Sequence, residues 1–118
     1  MIVAGFGLRG AATLASLRAL LGETQIDALA VVADKASHPA LIGLAAIMAK
    51  PLLPIALADL AVERAQTPAP HQPHRYGNTS VAEAAALAAA GPMAVLIHPR
   101  IIAADGTATM ALAQGPET

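Results

Sequence analysis

Residues 1–10 read MIVAGFGLRG, and this stretch predicts a strand over residues 2–5 that passes through a glycine turn into a helix over residues 9–21. The pattern recurs downstream, where the continuously apolar residues 28–32 predict a strand covered on both faces. A helix over residues 39–49 follows, with Ser37 as its expected N-cap and Pro39 in its first turn. Strands that alternate with helices in this way are typical of an α/β fold with parallel central strands.

The middle of the chain predicts one more strand and one long helix. Residues 52–56 predict the strand, residues 59–65 a short helix, and the proline-rich residues 66–78 a mobile loop that could act as a lid. Ser80 and Glu83 match a capping box, in which Ser80 accepts the N–H of Glu83 while Glu83 reaches back to the N–H of Ser80. We expect the helix that follows to end at Ala90, before Gly91-Pro92.

The C-terminal part of the chain predicts an antiparallel hairpin. Residues 93–98 form an apolar strand, and Asp105-Gly106 is a strong turn signal between residues 101–104 and 107–113. We therefore predict a single domain over residues 1–118. Its architecture is expected to be three-layer α/β/α, with a mixed, mainly parallel sheet and a C-terminal antiparallel hairpin.

The composition excludes several classes of protein. The chain has 118 residues, a net charge of −1 and no cysteine, so we expect neither a nucleic-acid-binding face nor a disulfide or thiolate metal site. The best candidate for a membrane span, residues 40–61, is interrupted by Lys50, Pro51, Pro54 and Asp59. The N-terminus lacks the basic start of a signal peptide. We expect a cytoplasmic protein without nucleic-acid or membrane partners.

Two cations follow successive strands, at the points where helices are predicted to begin. Arg9 and Lys35 would then lie beside helix N-termini, which already carry partial positive charge and free N–H groups. A bound anion would make this arrangement favourable. Because the carboxyl ends of parallel strands share one rim, we predict that both side chains lie there, near the helix that follows Thr79 and Ser80.

Other interpretations of these residues stay open. Gly5, Gly7 and Gly10 match the dinucleotide-binding fingerprint in spacing, with Asp34 near the ribose position, but the fingerprint alone is weak and the glycines also fit a tight turn and close packing. Arg9 could be a plain surface residue, and Lys35 could simply pair with Asp34.

The histidines raise the question of a metal site. His71 and His74 are separated by two residues in the proline-rich loop, without a cluster of carboxylates beside them. We therefore expect no metal and no cofactor. The chain also shows no recognisable serine–histidine–aspartate order or nucleophile elbow.

Five segments in order carry a resemblance to a known family. They are GFGLRG at 5–10, ADK at 33–35, Thr67-Pro68, GxxSVAEAAAL at 77–87 and ATxA at 108–111. The chain resembles the CobE proteins of cobalamin (vitamin B12) biosynthesis, which are similar to the C-terminal domain of CbiG, the cobalt-precorrin-5A hydrolase. The resemblance covers nearly the whole chain, and the serine-led stretch SVAEAAAL is its most specific part. Leu8 stands where hydrolase-type domains often have cysteine, and Ala69 stands where the family often has serine.

The resemblance implies a role in corrin-ring synthesis, and it leaves three functions open. The first is to bind or carry a precorrin, a tetrapyrrole intermediate, through a carboxylate-binding rim. The second is hydrolysis of the lactone of a precorrin-5-type intermediate, with Asp34 as the base. The third is docking onto other enzymes of the pathway. Because the upstream region of the hydrolase is not in this sequence, we expect an accessory protein without catalytic residues. The predicted substrate-binding residues are Gly5, Gly7, Arg9, Gly10, Asp34, Lys35, Thr67, Thr79 and Ser80.

Overall fold

A five-stranded mixed sheet with three α-helices forms the part of the chain that the computed structural model describes, residues 1–116. The last two residues of the predicted domain, Glu117 and Thr118, lie outside it. The strand order is β3-β2-β1-β5-β4, parallel from β1 to β3 and antiparallel through β5 and β4. The elements are β1 (Ile2–Leu8), α1 (Leu14–Leu21), β2 (Ala28–Val32), α2 (Pro39–Met48), β3 (Leu52–Ile55), α3 (Val81–Ala90), β4 (Val95–Ile102) and β5 (Ala108–Gln114).

The alternation of side chains along β1 separates two apolar layers. Ala4, Phe6 and Leu8 pack into the cluster that contains α1 and α2, whereas Val3 packs into the cluster that contains α3. The residues of α3 from Val81 to Leu87 are all buried, and the alanines among them are small enough to bring the helix close to the sheet. The predicted three-layer α/β/α fold with a C-terminal hairpin is thus confirmed.

The topology brings five strand ends to one edge of the sheet. Strands β1, β2 and β3 all finish there because they are parallel. Strand β5 starts there, since Ala108 pairs with Leu8, and β4 ends there, since Ile102 pairs with Thr109. We call this side of the molecule the carboxyl edge.

The first helix begins later than the sequence predicts. Strand β1 continues to Leu8, and the Arg9 N–H donates to the Thr107 carbonyl at 2.8 Å, which extends the pairing with the hairpin. Helix α1 starts at Leu14, where the Thr13 hydroxyl oxygen accepts the Ser16 N–H at 3.1 Å. Long-range pairing outweighs local helix propensity here. Arg9 is therefore not at a helix N-terminus, and that prediction is wrong.

The position of Lys35 relative to α2 also differs from the prediction. Lys35 ends a short 3₁₀ turn, and α2 begins at Pro39 with His38, not Ser37, as its N-cap. The His38 ring nitrogen Nδ1 accepts the Ala40 N–H at 3.2 Å, which is the role expected of the serine. Both cations therefore lie in loops of the carboxyl edge and not in the first turns of helices.

Three further local predictions are corrected. Residues 59–65 form no α-helix: a 3₁₀ turn covers Leu57–Asp59, and the N–H of Ala61 bonds to the Ala84 carbonyl of α3. Residues 93–98 and 101–104 belong largely to one bulged strand, β4. Glu83 does not reach back to Ser80, whose N–H instead donates to the Thr67 carbonyl at 2.8 Å. In residues 1–116, no helix has the length and apolar character needed to cross a membrane.

Candidate ligand-binding site

A cavity of about 430 Å³ opens at the carboxyl edge. Its floor is made by the ends of the central strands, and the irregular segment 69–76 covers one side. Apolar side chains form much of the wall, as is usual for ligand sites. They are Leu8, Val32, Ala69, Pro70, Val81 and Ile102.

Three cationic side chains line this cavity, and they come from three separate strand ends. Arg9 follows β1, Lys35 follows β2, and Arg100 lies near the end of β4. Arg9 is exposed, whereas Lys35 and Arg100 are half-buried. No aspartate or glutamate among the described residues lines the cavity. A protein with a net charge of −1 thus presents a locally positive surface, which favours an anionic ligand.

The loop that carries Arg9 is held from two sides. On one side, the Arg9 N–H bonds to the Thr107 carbonyl, as described above. On the other side, the His38 Nε2 lies 3.1 Å from the Arg9 carbonyl oxygen and 3.2 Å from that of Gly10. Because Nδ1 of the same ring accepts from Ala40, Nε2 carries the proton and donates to these carbonyls. The start of α2 and the Arg9 loop are therefore fixed relative to each other.

Glu83 is fully buried and joins three segments beneath the cavity. Its Oε1 accepts the N–H groups of Gln66 at 2.7 Å and Thr67 at 3.0 Å. Its Oε2 accepts the Arg100 N–H at 2.8 Å and a short hydrogen bond from the Thr67 hydroxyl. Burial raises the pKa of this carboxyl, but the four donors outweigh burial and leave the pKa below its ordinary value. Glu83 is thus a buried carboxylate that ties the loop at 66–67 and strand β4 to α3.

Asp34 is bound by two neighbouring residues of segment 69–76, which we call the covering segment because it covers one side of the cavity. The Tyr76 hydroxyl donates to its Oδ1 at 2.7 Å, and the Arg75 Nε donates to its Oδ2 at 2.8 Å. Burial raises the pKa of Asp34, but the bonds from Tyr76 and Arg75 and the charges of Arg75 and Lys35 together lower it by more, so the net shift is downward. These contacts fasten the covering segment to the end of β2.

A second anchor holds the same segment to α3. The Gln72 side-chain amide donates to the carbonyls of Gly77 at 2.9 Å and Thr79 at 2.6 Å, and its oxygen accepts the Val81 N–H at 3.2 Å. The Thr79 hydroxyl donates to the Val62 carbonyl at 2.7 Å. Segment 66–78 is irregular as predicted, and these bonds fix its backbone at several points.

The structure brings together four of the nine predicted binding residues. Gly7, Arg9, Lys35 and Ser80 all line the cavity, so the prediction that the two cations share one rim near the helix after Thr79 is confirmed as a matter of position. The other five do not line it: Thr67 bonds to Glu83, Thr79 to Val62 and Asp34 to its two partners, while Gly5 packs against α3 and Gly10 lies beside His38.

The glycine fingerprint has a structural explanation. Gly5 and Gly7 lie inside β1, not in a turn between strand and helix. A Cβ at Gly5 would lie 2.1 Å from the Ala82 carbonyl oxygen, so glycine is required for α3 to approach the sheet. The spacing therefore reflects close packing, which was one of the two interpretations left open, and not a phosphate-binding turn.

Sequence reasoning missed Arg100 and Tyr76. Arg100 interrupts an apolar strand, residues 95–102, together with the adjacent Pro99, and that interruption was the available signal. Tyr76 is 3% exposed, and it contacts both the cavity and Asp34. His71 lines the cavity, but across residues 1–116 no three histidine, aspartate or glutamate side chains converge as metal ligands would.

These observations define a single α/β domain with a positively charged cavity at the carboxyl edge of its sheet. Comparison with known families identifies the family of this domain. The family described as Cobalamin synthesis G C-terminus matches residues 2–113, and the chain belongs to this family.

Two solved structures are similar over nearly the whole chain. One is the 1.7 Å crystal structure of CobE, a protein from the cobalamin (vitamin B12) biosynthetic pathway, with 34% identity, a TM-score of 0.83 and coverage of 96% of this chain and 92% of that one. The other is the cobalamin biosynthesis protein chiG from Agrobacterium tumefaciens str. C58, with 32% identity, a TM-score of 0.74 and coverage of 99% and 100%. No curated protein matches the chain significantly. The predicted family is confirmed.

Proposed function

We propose that this protein binds a corrin-ring intermediate of cobalamin biosynthesis in the cavity at the carboxyl edge, through the carboxylates of the ring. The observation that carries the proposal is the lining itself, which combines Arg9, Lys35 and Arg100 with apolar walls and, among residues 1–116, no acidic side chain. Membership of a cobalamin-synthesis family supports the choice of ligand.

The chemistry of the ligand matches the cavity in two respects. A corrin precursor carries acetate and propionate groups around its rim, and guanidinium and ammonium groups bind carboxylates through charge-assisted hydrogen bonds. The macrocycle itself is largely apolar and suits the aliphatic wall. A cavity of about 430 Å³ would enclose part of such a ring and leave the rest outside, where a second pathway enzyme could take it.

We propose binding or carriage in preference to lactone hydrolysis because of the state of Asp34. Its two carboxylate oxygens accept hydrogen bonds from Tyr76 and Arg75, and its lowered pKa makes it a weak base. It also lies outside the lining of the cavity. A hydrolytic mechanism would need to break this cluster before Asp34 could act.

Replacement of Arg9 or Lys35 by alanine tests the proposal. Arg9→Ala and Lys35→Ala should each weaken the binding of cobyrinic acid, a corrin with free acetic and propionic acid groups. Each variant loses a charge-assisted contact of about 1.5–3 kcal/mol, which corresponds to about tenfold or more in Kd. Absorbance titration of the wild type and both variants measures the change.

Arg18→Ala and Lys50→Ala are the matched controls, because both residues are exposed and neither lines the cavity. Their affinities should equal that of the wild type. If Arg9→Ala and Lys35→Ala also bind like the wild type, the cations are merely solvated and the proposed site is wrong.

A further inference from the structure

Arg100 presents a buried donor that is not satisfied within the described residues. Arg100 lines the cavity, and its Nε is shielded from solvent with no hydrogen-bond partner among residues 1–116. A guanidinium remains protonated at any physiological pH, and it can only donate. A buried charged donor without a partner costs free energy, so such a group needs an explanation.

Two other arginines of the chain, Arg64 and Arg75, use their guanidinium groups to bond to the protein itself. The Arg64 guanidinium donates to four carbonyls near the end of α3, those of Leu87, Gly91, Pro92 and Ala94, at 3.2–3.5 Å. Arg75 pairs with Asp34 and lies over the Tyr76 ring, 4.5 Å from its centroid. By contrast, the buried Nε of Arg100 has no hydrogen-bond partner within the described part of the chain. This nitrogen therefore contributes no hydrogen bond to the described part of the fold.

A β-bulge places Arg100 at the cavity. Between the pairs His98–Leu112 and Ile101–Met110, strand β4 has two residues, Pro99 and Arg100, where β5 has one. The Arg100 N–H leaves the sheet and donates to the buried Glu83 carboxylate at 2.8 Å. The backbone of Arg100 is thus fixed while its Nε has no protein partner among residues 1–116, as expected of a preorganised binding group.

We infer that Arg100 is the anchor for one carboxylate of the ligand, which it binds through two nitrogens of its guanidinium group. The inference rests on the proposed function and adds to it the group that sets affinity. A planar carboxylate accepts two parallel hydrogen bonds from this fork, an arrangement that lysine cannot reproduce. Because the Arg100 side chain is half-buried and its Nε is shielded from water, this contact should be stronger than that of the exposed Arg9. Glu83 is then a positioning residue for the anchor.

The decisive variant is Arg100→Met, which keeps an unbranched apolar stem and removes every donor. It should weaken cobyrinic acid binding by about thirtyfold, and Arg100→Lys by about tenfold, because lysine keeps the charge but loses the fork. Arg18→Met, an exposed arginine of α1, is the control and should bind like the wild type. Arg100→Met should melt at or above the wild-type temperature, whereas Arg64→Met should melt lower because it loses four hydrogen bonds.

An NMR measurement on the wild-type protein tests the same inference without depending on whether a variant folds. The Nε–H resonance of Arg100 in NMR spectra should shift on addition of cobyrinic acid, and that of Arg64 should not. If Arg100→Met binds as tightly as the wild type, or if the Arg100 resonance does not move in the bound protein, the inference is overturned. The proposed function would still stand if Arg9→Ala and Lys35→Ala weaken binding. If the wild type does not bind cobyrinic acid, the proposed function fails, and the anchor fails with it.

Discussion

At the scale of single residues, Glu83 decides how the site is held together. The side chain is completely buried, has no cationic side chain bonded to its carboxylate among the described residues, and depends on four donors from the loop at 66–67 and from β4. Hydrogen bonds to a buried charge are strong when complete, and costly when one partner is lost. A substitution of Glu83 should therefore reduce the free energy of unfolding more than it reduces the affinity for ligand.

Glu83→Gln should lower the free energy of unfolding by about 2–3 kcal/mol at neutral pH, because an amide cannot accept from all four donors. The pKa of Glu83 is lowered in the folded state, so its contribution to stability is fully present above the ordinary carboxyl pKa and is lost as the pH falls through the lower pKa of the folded state. The difference between the wild type and Glu83→Gln should accordingly shrink on acidification. Urea unfolding at several pH values between neutral and about pH 3 measures both effects.

Glu63→Gln provides the comparison, because Glu63 is exposed in the loop before α3. Its stability should stay within about 0.5 kcal/mol of the wild type. A Glu83→Gln protein as stable as Glu63→Gln at neutral pH would show that the buried network contributes little.

The residue types of this network were visible in the sequence, but their partners were not. The pattern of Ser80 and Glu83 correctly predicted that the Ser80 oxygen accepts the Glu83 N–H, at 3.2 Å. It assigned the Glu83 carboxylate to a local partner, because a capping box describes only one turn of helix. The actual donors are 16 and 17 residues away in the chain, and only tertiary packing brings them together.

At the scale of elements, the contact between β1 and α3 sets the geometry of the carboxyl edge. Gly5 lets the helix approach until its backbone nearly touches the strand, and the alanines of α3 allow the same close contact along its length. The N-terminus of α3, with Ser80 and Val81, is thereby placed at the cavity.

Gly5→Ala should destabilise the protein by at least about 3 kcal/mol, because the added methyl group meets the Ala82 carbonyl at 2.1 Å and a backbone atom cannot rotate away. Gly10→Ala is the matched control from the same glycine-rich stretch. A methyl group at Gly10 would have no described atom within 4 Å beyond its chain neighbours, and the φ of Gly10 is not positive. Thermal melts should separate the two, and equal melting temperatures would contradict the packing explanation.

The elements themselves were largely predictable, since hydrophobic periodicity and glycine or proline at their ends depend on short stretches of sequence. The residues of β2, the end of α3 at Ala90 and the hairpin at Asp105-Gly106 follow the prediction. The start of α1 does not, because the N–H of Arg9 bonds to Thr107, nearly a hundred residues away. Helix boundaries fail where a distant strand competes for the same backbone groups.

At the scale of the whole molecule, the site exists only because the sheet is mixed. Parallel pairing of β1 with β2 puts Arg9 and Lys35 on one rim, which the order of elements was sufficient to predict. Arg100 reaches the same rim because β4 runs antiparallel to β5 and carries a bulge. Neither the register nor the bulge could be predicted from composition or spacing, so the third cation emerged only from the structure.

The proposed function requires that the cavity recognises the carboxylates of a corrin, and a comparison of two ligands checks this claim. The wild type is titrated with cobyrinic acid and with its heptamethyl ester, which has the same macrocycle but no negative charge on its side chains. Loss of at least two charge-assisted contacts should make the ester bind at least about a hundredfold more weakly. Binding of the acid should also weaken as salt is raised. Equal affinity for acid and ester, or no binding of the acid, would contradict the claim.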